Sequence, residues 1–442
     1  MHDGLGLATK RLAAPRSPLD RADAALGLIF AAVAVAIAIW GFGILGHALQ
    51  TAASFNIWFQ ADSPRVIGNL TDRQSNHART SVHPAASILL TPIVIALHKL
   101  GIPALLASEG LVLAAAAVCG GVFYIVLRML GLPRLAASVF TALFLSSAAF
   151  IHWYSQIELN TVAGATIVVA LLALAYGRTK SELWWVLVSA ATLSITITNW
   201  SIGLAATVVR WPLRRCVMIS LAALTIVMLL SLVQMFTFWH AASFFRIGAV
   251  SSEMHWSALG SEHDGLPTDP PLMNMRSLFL TTMLAPDPVV ETQDGDKVVT
   301  NQDVPATSGT PFAIAASVAW ITLLGCGLLG ALGGIRNDLR RPFVAGLGLM
   351  LLGQMVLHSI YGNPTFLYAP HFLPLLVALA ALSWFTPLRW LALGLAGVAC
   401  VAGGVNNVHA FRSAAALANQ IIDQGGNAIQ PAFPANDVLP AR

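Results

Sequence analysis

The amino-acid sequence predicts an all-α polytopic membrane protein with about eleven transmembrane helices. Of its 442 residues, 57% are hydrophobic and 10% are charged, and the mean hydropathy is +0.73. Soluble domains carry about 25% charged residues. The four cysteines fall in or beside apolar stretches, which is typical of small buried hydrophobes and not of a disulfide framework.

The apolar stretches are the candidate crossings. The predicted crossings are 24–49, 104–127, 135–150, 161–176, 183–198, 201–211, 216–238, 312–334, 342–358, 370–386 and 390–405. The first is longer than the ~7–15 residues of a signal-peptide core, so we interpret it as a retained anchor. Several others, 201–211 most of all, are shorter than the about 20 residues that a spanning helix needs. A further apolar segment, 85–97, is predicted to lie at the outer surface or to re-enter.

The charge distribution predicts the orientation. With a cytoplasmic N-terminus, the inner segments hold 15 of the 24 Lys and Arg residues and 5 of the 20 Asp and Glu residues. This asymmetry follows the positive-inside rule, and a spanning 85–97 segment would reverse it. The sequence therefore predicts a periplasmic or extracytoplasmic C-terminus, in what is expected to be the inner membrane of a bacterium.

One membrane domain, 1–405, is predicted, followed by a short extracytoplasmic tail at 406–442. Polar residues collect in two outer loops, 51–103 and 239–311. In the second loop, "VVETQDGDKVVTNQDVP" predicts a β-hairpin, with two short strands around an Asp-Gly turn. In the first loop, short helices are predicted at the outer surface.

The stretch "WFQADSPR" places a carboxylate, Asp62, just beyond the first crossing. Ser63 followed by Pro64 is a helix-start signal, with Ser63 as the N-cap. A helix N-terminus favours anions, phosphate included. Two interpretations stay open at this point: Asp62 is a catalytic acid or base at the membrane surface, or it merely caps a surface helix.

The run that follows, "TDRQSNHARTSVHPAAS", is rich in polar and charged residues, yet apolar segments frame it. It packs Asp72, Arg73, Asn76, His77, Arg79, Ser81 and His83 into a short span, and the fork of arginine donors suits phosphate oxygens. The composition of this run favours a site for a polar, phosphate-bearing substrate at the membrane surface.

At these residues the chain resembles the GT-C superfamily of membrane glycosyltransferases, which includes protein O-mannosyltransferases and lipid A aminoarabinose transferases. Asp62 and "VHPAASILL" are similar to the family's acidic first loop and its His-Pro before an apolar helix. "RMLGLPR", "HWYSQIELN" and "FLYAPHFLPLL" are similar to later segments, with His371 where an arginine is common. Asp62 stands alone where the family often has paired acids, and the C-terminal tail is short.

The resemblance implies a GT-C-like fold and a sugar donor on a polyprenyl phosphate or pyrophosphate. The acceptor, a glycan, lipid or protein, attacks the anomeric carbon with inversion, and Asp62 is the implied general base. Positive or hydrogen-bonding side chains must stabilise the leaving phosphate. The candidate substrate- and phosphate-binding residues are Arg65, Arg79, His83, Arg246, Arg276, His358, Tyr361, Tyr368 and His371. The bilayer is the other expected partner, and no nucleic acid is expected.

The cofactor is left unknown, with a divalent metal cation as one hypothesis. His152 and Glu158 in one outer loop, with His83 or His77 nearby, are residue types that hold such a cation. The favoured alternative is that His152 belongs to an aromatic belt at the membrane interface and that Glu158 is solvated.

Two other classes fit a polytopic chain with lipid-linked substrates. A transporter or flippase would bind its substrate near the middle of the bilayer, between repeated halves or broken helices. Here the acidic residues fall in loops or near segment ends, with Glu109 closest to an exception. An O-antigen polymerase or ligase would use arginines of a large late loop, and the 239–311 loop holds few cations.

Overall fold

The computed structural model describes residues 19–51, 57–177, 180–245, 271–293, 296–301, 304–359 and 365–424. The structure is 77% helical and has almost no sheet. The α-helices are α1 (Arg21–Thr51), α2 (Ser63–Thr71), α3 (Ala86–Lys99), α4 (Ala104–Met129), α5 (Arg134–Leu145), α6 (Ala148–Trp153), α7 (Leu159–Tyr176), α8 (Glu182–Ile195), α9 (Trp200–Val208), α10 (Leu213–Thr237), α11 (Pro271–Arg276), α12 (Pro311–Ile335), α13 (Arg341–His358), α14 (Ala369–Ala381) and α15 (Arg389–Asp423). Short 3₁₀ segments lie at Ala78–Ser81, Ile197–Asn199, Thr365–Tyr368 and Leu382–Phe385, and one π-helical turn lies at Ser277–Thr281.

Within the described residues, eight helical segments are long and apolar enough to cross a membrane. They are α1, α4, α7, α10, α12, α13, α14 with its flanking 3₁₀ turns (Phe366–Phe385), and α15. Large apolar side chains on their outer faces are exposed, such as Phe236 of α10 at 89% and Val318 of α12 at 61%. Lipid is the solvent that such faces require. The predicted class, an all-α membrane protein, is confirmed.

The remaining predicted crossings correspond to shorter helices. α5 has 12 residues, α8 has 14 and α9 has 9. At 1.5 Å per residue, α8 is about 21 Å long, which is less than the about 30 Å hydrocarbon core of a bilayer. α8 and α9 fold back on each other: a Cβ on Gly203 of α9 would lie 2.7 Å from Oγ1 of Thr192 of α8. The structure thus gives eight long helices, and a count of eleven crossings stays a prediction.

Segment 85–97 forms α3, a 14-residue helix that is not among the eight. Its length, about 21 Å, agrees with the expectation that this segment does not span. α3 packs against α2, α4 and α10. It therefore extends the first loop along the bundle.

Ion pairs mark the two ends of the bundle. Asp23, near the start of α1, pairs with Arg128 at 2.8 Å and with Arg134 at 3.0 Å, and these arginines lie where α4 ends and α5 begins. His47, near the end of α1, lies 3.6 Å from Glu109, near the start of α4. α1 and α4 therefore run antiparallel, and we call the end that holds Arg128 and Arg134 the basic end.

The opposite end holds the polar loops. Nε2 of Gln50, near the end of α1, donates to Oε1 of Gln156 at 2.9 Å, just before α7 begins. α7 then runs to the basic end, where Arg210 donates to the carbonyl of Leu174. Arg215 pairs with Glu182 at 3.2 Å, where α10 and α8 begin. We call the end that holds Gln50 and Gln156 the loop end.

The predicted hairpin is confirmed. β1 (Val289–Gln293) and β2 (Asp296–Thr300) pair antiparallel, and the turn residues between them lie outside the described part of the chain. The free edge of β2 pairs with the first loop: Val299 donates to the carbonyl of Ile57 at 2.8 Å, and Phe59 donates to the carbonyl of Val299 at 3.0 Å. Two outer loops that are far apart in sequence are thereby joined at the loop end.

The last helix is longer than the sequence predicted. α15 continues to Asp423, whereas the sequence predicts a crossing that ends at 405 and a tail from 406. Asn407 explains the continuation, because its side chain is buried and donates to the carbonyls of Ser146 and Met283 at 2.9 Å and 2.8 Å. The amide of Asn407 makes its hydrogen bonds inside the protein, so this polar residue does not end the helix.

Candidate functional site

Asp62 lies at the loop end, directly before α2, and its side chain is 37% exposed. Asp62 itself is the N-cap residue, one position before the predicted Ser63, and Pro64 lies in the first turn as predicted. The carboxylate makes no capping hydrogen bond and instead pairs with Arg65. The Asp62 side chain therefore does not cap α2, because the capping hydrogen bond is absent from the described structure.

A second carboxylate, that of Glu158, accepts a hydrogen bond from the backbone of Asp62. The backbone N–H of Asp62 donates to Oε2 of Glu158 at 3.0 Å, and the N–H of Leu159 donates to Oε1 of Glu158 at 2.8 Å. Glu158 is 6% exposed, so the expected solvated side chain is wrong. Burial first, and then the negative charge of Asp62, raise the pKa of Glu158 to about 7, against the opposing charge of Arg65.

This raised pKa predicts how stability depends on pH. Because the folded-state pKa of about 7 exceeds the ordinary 4.5, ionising Glu158 costs the folded protein free energy as the pH rises through that window. We expect the unfolding temperature of Glu158→Gln relative to that of the wild type, in detergent and followed by tryptophan fluorescence, to rise between pH 4.5 and pH 7. Taking this difference cancels the opposite slope from His83 and His152, whose lowered pKa values add stability as the pH rises.

The matched control is Glu182→Gln, since Glu182 is an exposed carboxylate in an ion pair at the basic end. This variant should keep the wild-type slope. A Glu158→Gln protein whose unfolding temperature changes with pH just as that of the wild type does would contradict the assignment to Glu158.

A strained turn leads into Asp62. Phe59 and Gln60 have positive φ angles of 47° and 60°, which are uncommon for residues other than glycine. The N–H of Ala61 donates to the carbonyl of Trp58 at 2.8 Å, so these four residues close a tight turn with two left-handed central positions. Such a turn costs of order 1–3 kcal/mol per residue and persists when its surroundings hold it. Here the edge of β2 supplies two backbone hydrogen bonds through Val299.

An aromatic cluster also holds the turn. Around the ring of Phe59 lie the rings of Trp58 at 4.9 Å, His152 at 5.6 Å and Phe366 at 5.3 Å, measured between centroids. His152 is 1% exposed, and its Nδ1 contacts the carbonyl of Ala148 at 2.9 Å. The expected position of His152 in an interface belt is wrong, because these rings form a buried support for the Asp62 turn.

The two candidate metal ligands lie in different surroundings. The ring of His152 packs among aromatic side chains, whereas the carboxylate of Glu158 accepts two backbone N–H groups. Burial lowers the pKa of His152 to about 4. In the described part of the chain, no three His, Cys, Asp or Glu side chains come together as a metal site. Both residues support the Asp62 loop, and a divalent cation there stays a hypothesis.

A cleft opens beside Asp62, between α2, the 3₁₀ turn Ala78–Ser81 and the start of α3. The cleft is open to solvent, and together with its mouth it spans about 300 Å³ free of protein atoms. Its lining residues are Arg65, Val66, Asn69, Leu70, Arg79, Thr80, His83, Ala86, Ser87 and Leu159. Two guanidinium groups above an apolar wall suit an anionic head group that carries an apolar chain. Nη1 of Arg65 is buried and has no hydrogen-bond partner among the described residues.

His83 reaches the cleft as predicted, but not as a cation. Its Nδ1 donates to the carbonyl of Ile195 at 2.7 Å. Burial, followed by the charges of Arg65 and Arg79, lowers the pKa of His83 to about 3. A neutral ring with Nδ1–H engaged leaves Nε2 as a hydrogen-bond acceptor. In this state His83 can accept a hydrogen bond from a hydroxyl or a guanidinium, and its predicted role in substrate binding stays a prediction.

A second group of predicted residues meets deeper in the bundle. The ring centroid of His358 lies 4.2 Å from that of Tyr368 and 6.2 Å from that of His371. His371 is close enough to His83 for their charges to interact, which connects this group to the cleft. The structure thus brings predicted residues from the first loop and the last third of the chain into one region.

The sequence also predicts substrate-binding roles for Arg276, Arg246 and Tyr361. Nη1 of Arg276 donates to the carbonyl of Val304 at 3.0 Å, which is a contact within its own loop. Arg246 and Tyr361 lie outside the described residues. Their predicted roles in substrate binding stay predictions.

Sequence reasoning missed two groups at the site. Glu158 was considered as a metal ligand and not as the partner of Asp62, because nothing in the sequence shows that residues 96 positions apart touch. Gln354 and Asn199 are joined inside the bundle by a 3.2 Å hydrogen bond. An amide within an apolar crossing, as in "LLGQMVLH", was a usable signal, since polar groups in such segments are often functional.

Comparison with family models, with curated proteins and with solved structures returns no match to this chain.

Proposed function

We propose that this protein is an inverting membrane glycosyltransferase that moves a sugar from a polyprenyl-phosphate or pyrophosphate donor to an acceptor at the outer face of the membrane. One observation carries the proposal: a half-exposed carboxylate, Asp62, adjoins a cleft with two arginines, at the loop end of a bundle of membrane-spanning helices. The resemblance to the GT-C superfamily at the Asp62 loop agrees with this chemistry.

In the proposed reaction, Asp62 takes the proton of the acceptor hydroxyl as its oxygen attacks the anomeric carbon. The new C–O bond forms while the bond from that carbon to the donor phosphate oxygen breaks, and the electron pair stays on the phosphate. Arg65 and Arg79 stabilise the charge that develops there. In this structure Arg65 pairs with Asp62. A phosphate that binds Arg65 would therefore free the carboxylate to act as the base.

The proposed orientation places the N-terminus in the cytoplasm and the C-terminus outside, with about eleven crossings in a GT-C-like arrangement. The arginines of the basic end, at the opposite end of the bundle from Asp62, support it under the positive-inside rule. Reporters fused after Arg134 and after Arg215 should both report the cytoplasm, and a fusion within 285–300 the outside. A periplasmic result after Arg215 would invert the proposed map.

The proposed function is tested by comparing a deletion strain with its parent. We expect the deletion strain to accumulate one polyprenyl-phosphate sugar and to lack one glycan, and the purified protein in nanodiscs to release polyprenyl phosphate from that lipid when its acceptor is added. Unchanged lipids and glycans in the deletion strain would contradict the proposal.

A flippase is the second candidate, and one observation favours it: the short helices α8 and α9 meet at a break inside the bundle. In proteoliposomes, a flippase would move the lipid-linked sugar between leaflets without cleaving it. The glycosyltransferase is expected to cleave it when the acceptor is present.

A further inference from the structure

A row of buried polar side chains continues from the cleft into the bundle. Its members are His371 of α14, His358 and Gln354 of α13, and Asn199 in the turn between α8 and α9, and each is at most 1% exposed. Nε2 of Gln354 donates to Oδ1 of Asn199 at 3.2 Å. Gln354 and His358 lie four residues apart, which places both on one face of α13. His83 of the cleft lies within electrostatic range of His371, which is at one end of the row.

The row contains hydrogen-bonding capacity that the described protein atoms do not use. Oε1 of Gln354 and both ring nitrogens of His371 are buried without a hydrogen-bond partner among the described residues. The large majority of buried side-chain polar atoms in proteins have a hydrogen-bond partner. The three unused positions on these two side chains of the row are therefore available to a bound ligand.

The backbone around the row supports this inference. α8 is about 21 Å long and α9 about 14 Å, so the turn between them lies short of a full crossing. Irregular backbone at membrane depth is found where it is buried in protein or lines a cavity. The carbonyl of Ile195, at one end of this turn, accepts from His83, and Asn199, at the other end, accepts from Gln354. The turn thus bridges the cleft and the row.

The chemistry of the row indicates its ligand. Amides and imidazoles offer donors and acceptors at short spacing, as the hydroxyls of a sugar require. None of the four members of the row is a carboxylate, so the row offers no counter-ion for an amino sugar. None is a lysine or an arginine, so it offers no counter-ion for an acidic sugar. We propose that the row binds the sugar of the donor, and that this sugar is uncharged and rich in hydroxyl groups. The inference rests on the proposed function and names the substrate class of that site.

The test measures binding to the purified protein in nanodiscs. The probes are polyprenyl phosphate, polyprenyl-phosphate hexose and polyprenyl-phosphate aminopentose. The wild type should bind the neutral hexose lipid about 10- to 100-fold more tightly than the bare lipid phosphate, as one or two net hydrogen bonds provide. Gln354→Leu should remove this preference and leave the affinity for the bare lipid phosphate unchanged, which also reports that the variant folds.

A charge variant sharpens the test. Gln354→Glu keeps the shape of the side chain and adds a carboxylate, so it should favour the aminopentose lipid over the hexose lipid. The matched control is Ser317→Ala, which removes a buried, unpartnered hydroxyl of α12 outside the row and should change neither preference.

The outcomes separate the two proposals. A Gln354→Leu protein that still prefers the hexose lipid, or a wild type that binds the hexose and aminopentose lipids equally, would overturn the sugar site and leave the glycosyltransferase proposal standing. A wild type that binds none of the three lipids would overturn both.

Discussion

Asp62→Asn should reduce sugar transfer by about 10²–10⁴-fold, which is the contribution of a positioned general base. Asparagine keeps the size of the side chain and removes its basicity and its charge. Because the Asp62 side chain is 37% exposed and makes no capping bond, insertion and abundance should be unchanged. The measurement is the initial rate of transfer by equal amounts of purified protein.

Asp72→Asn is the matched control. Asp72 lies on the same loop, at the other end of α2, and its Oδ1 accepts from the backbone N–H of Gln74 at 2.8 Å. This variant should transfer sugar within a few-fold of the wild type. Near-normal transfer by Asp62→Asn at equal abundance would show that Asp62 is not the general base.

Arg65→Gln is expected to lower kcat/KM for the donor by about 10²–10³-fold, the size of effect seen when one group that stabilises developing charge is removed. Arg65 lines the cleft, pairs with Asp62 and has an unused buried donor at Nη1. Arg65→Lys should recover part of the loss, because a lysine restores the charge without the planar fork of donors. The readout is steady-state kinetics with donor and acceptor varied separately.

Arg73→Gln controls for charge on the same loop. Arg73 is exposed, and its Nη2 donates to the carbonyl of Thr237 at 3.2 Å, away from the cleft. Its removal should leave the donor KM unchanged. If Arg65→Gln altered the KM of the acceptor and not that of the donor, the phosphate would not lie where the cleft suggests.

Much of the fold follows from local patterns in the sequence. Long apolar runs predicted the eight long apolar helices, and an Asp-Gly dipeptide between two β-prone runs predicted the hairpin. Ser63-Pro64 predicted the start of α2 to within one residue. These features depend on neighbours in the chain, so composition and spacing are sufficient for them.

Features that depend on tertiary contacts escaped prediction. Hydropathy cannot distinguish two short helices such as α8 and α9 from two full-length ones, because both are apolar along their length. Trp153 and Tyr154 have the composition of an interface belt, yet they are 0% and 1% exposed. Trp153 packs against Phe59 and Phe366, and Tyr154 packs against Phe150 and Cys119 of α4. The contact between Glu158 and Asp62, like the row at Gln354, joins segments whose proximity only the packed bundle determines.

The pairing of the Asp62 turn with Val299 also has a consequence for biogenesis. The first loop is synthesised long before the hairpin, so the left-handed pair Phe59 and Gln60 has no partner strand while most of the chain is still being made. Because that turn is costly by itself, the carboxylate of Asp62 is expected to reach its final position late, once the hairpin has been made. A chain that stops before the hairpin is therefore expected to insert with the Asp62 turn unformed.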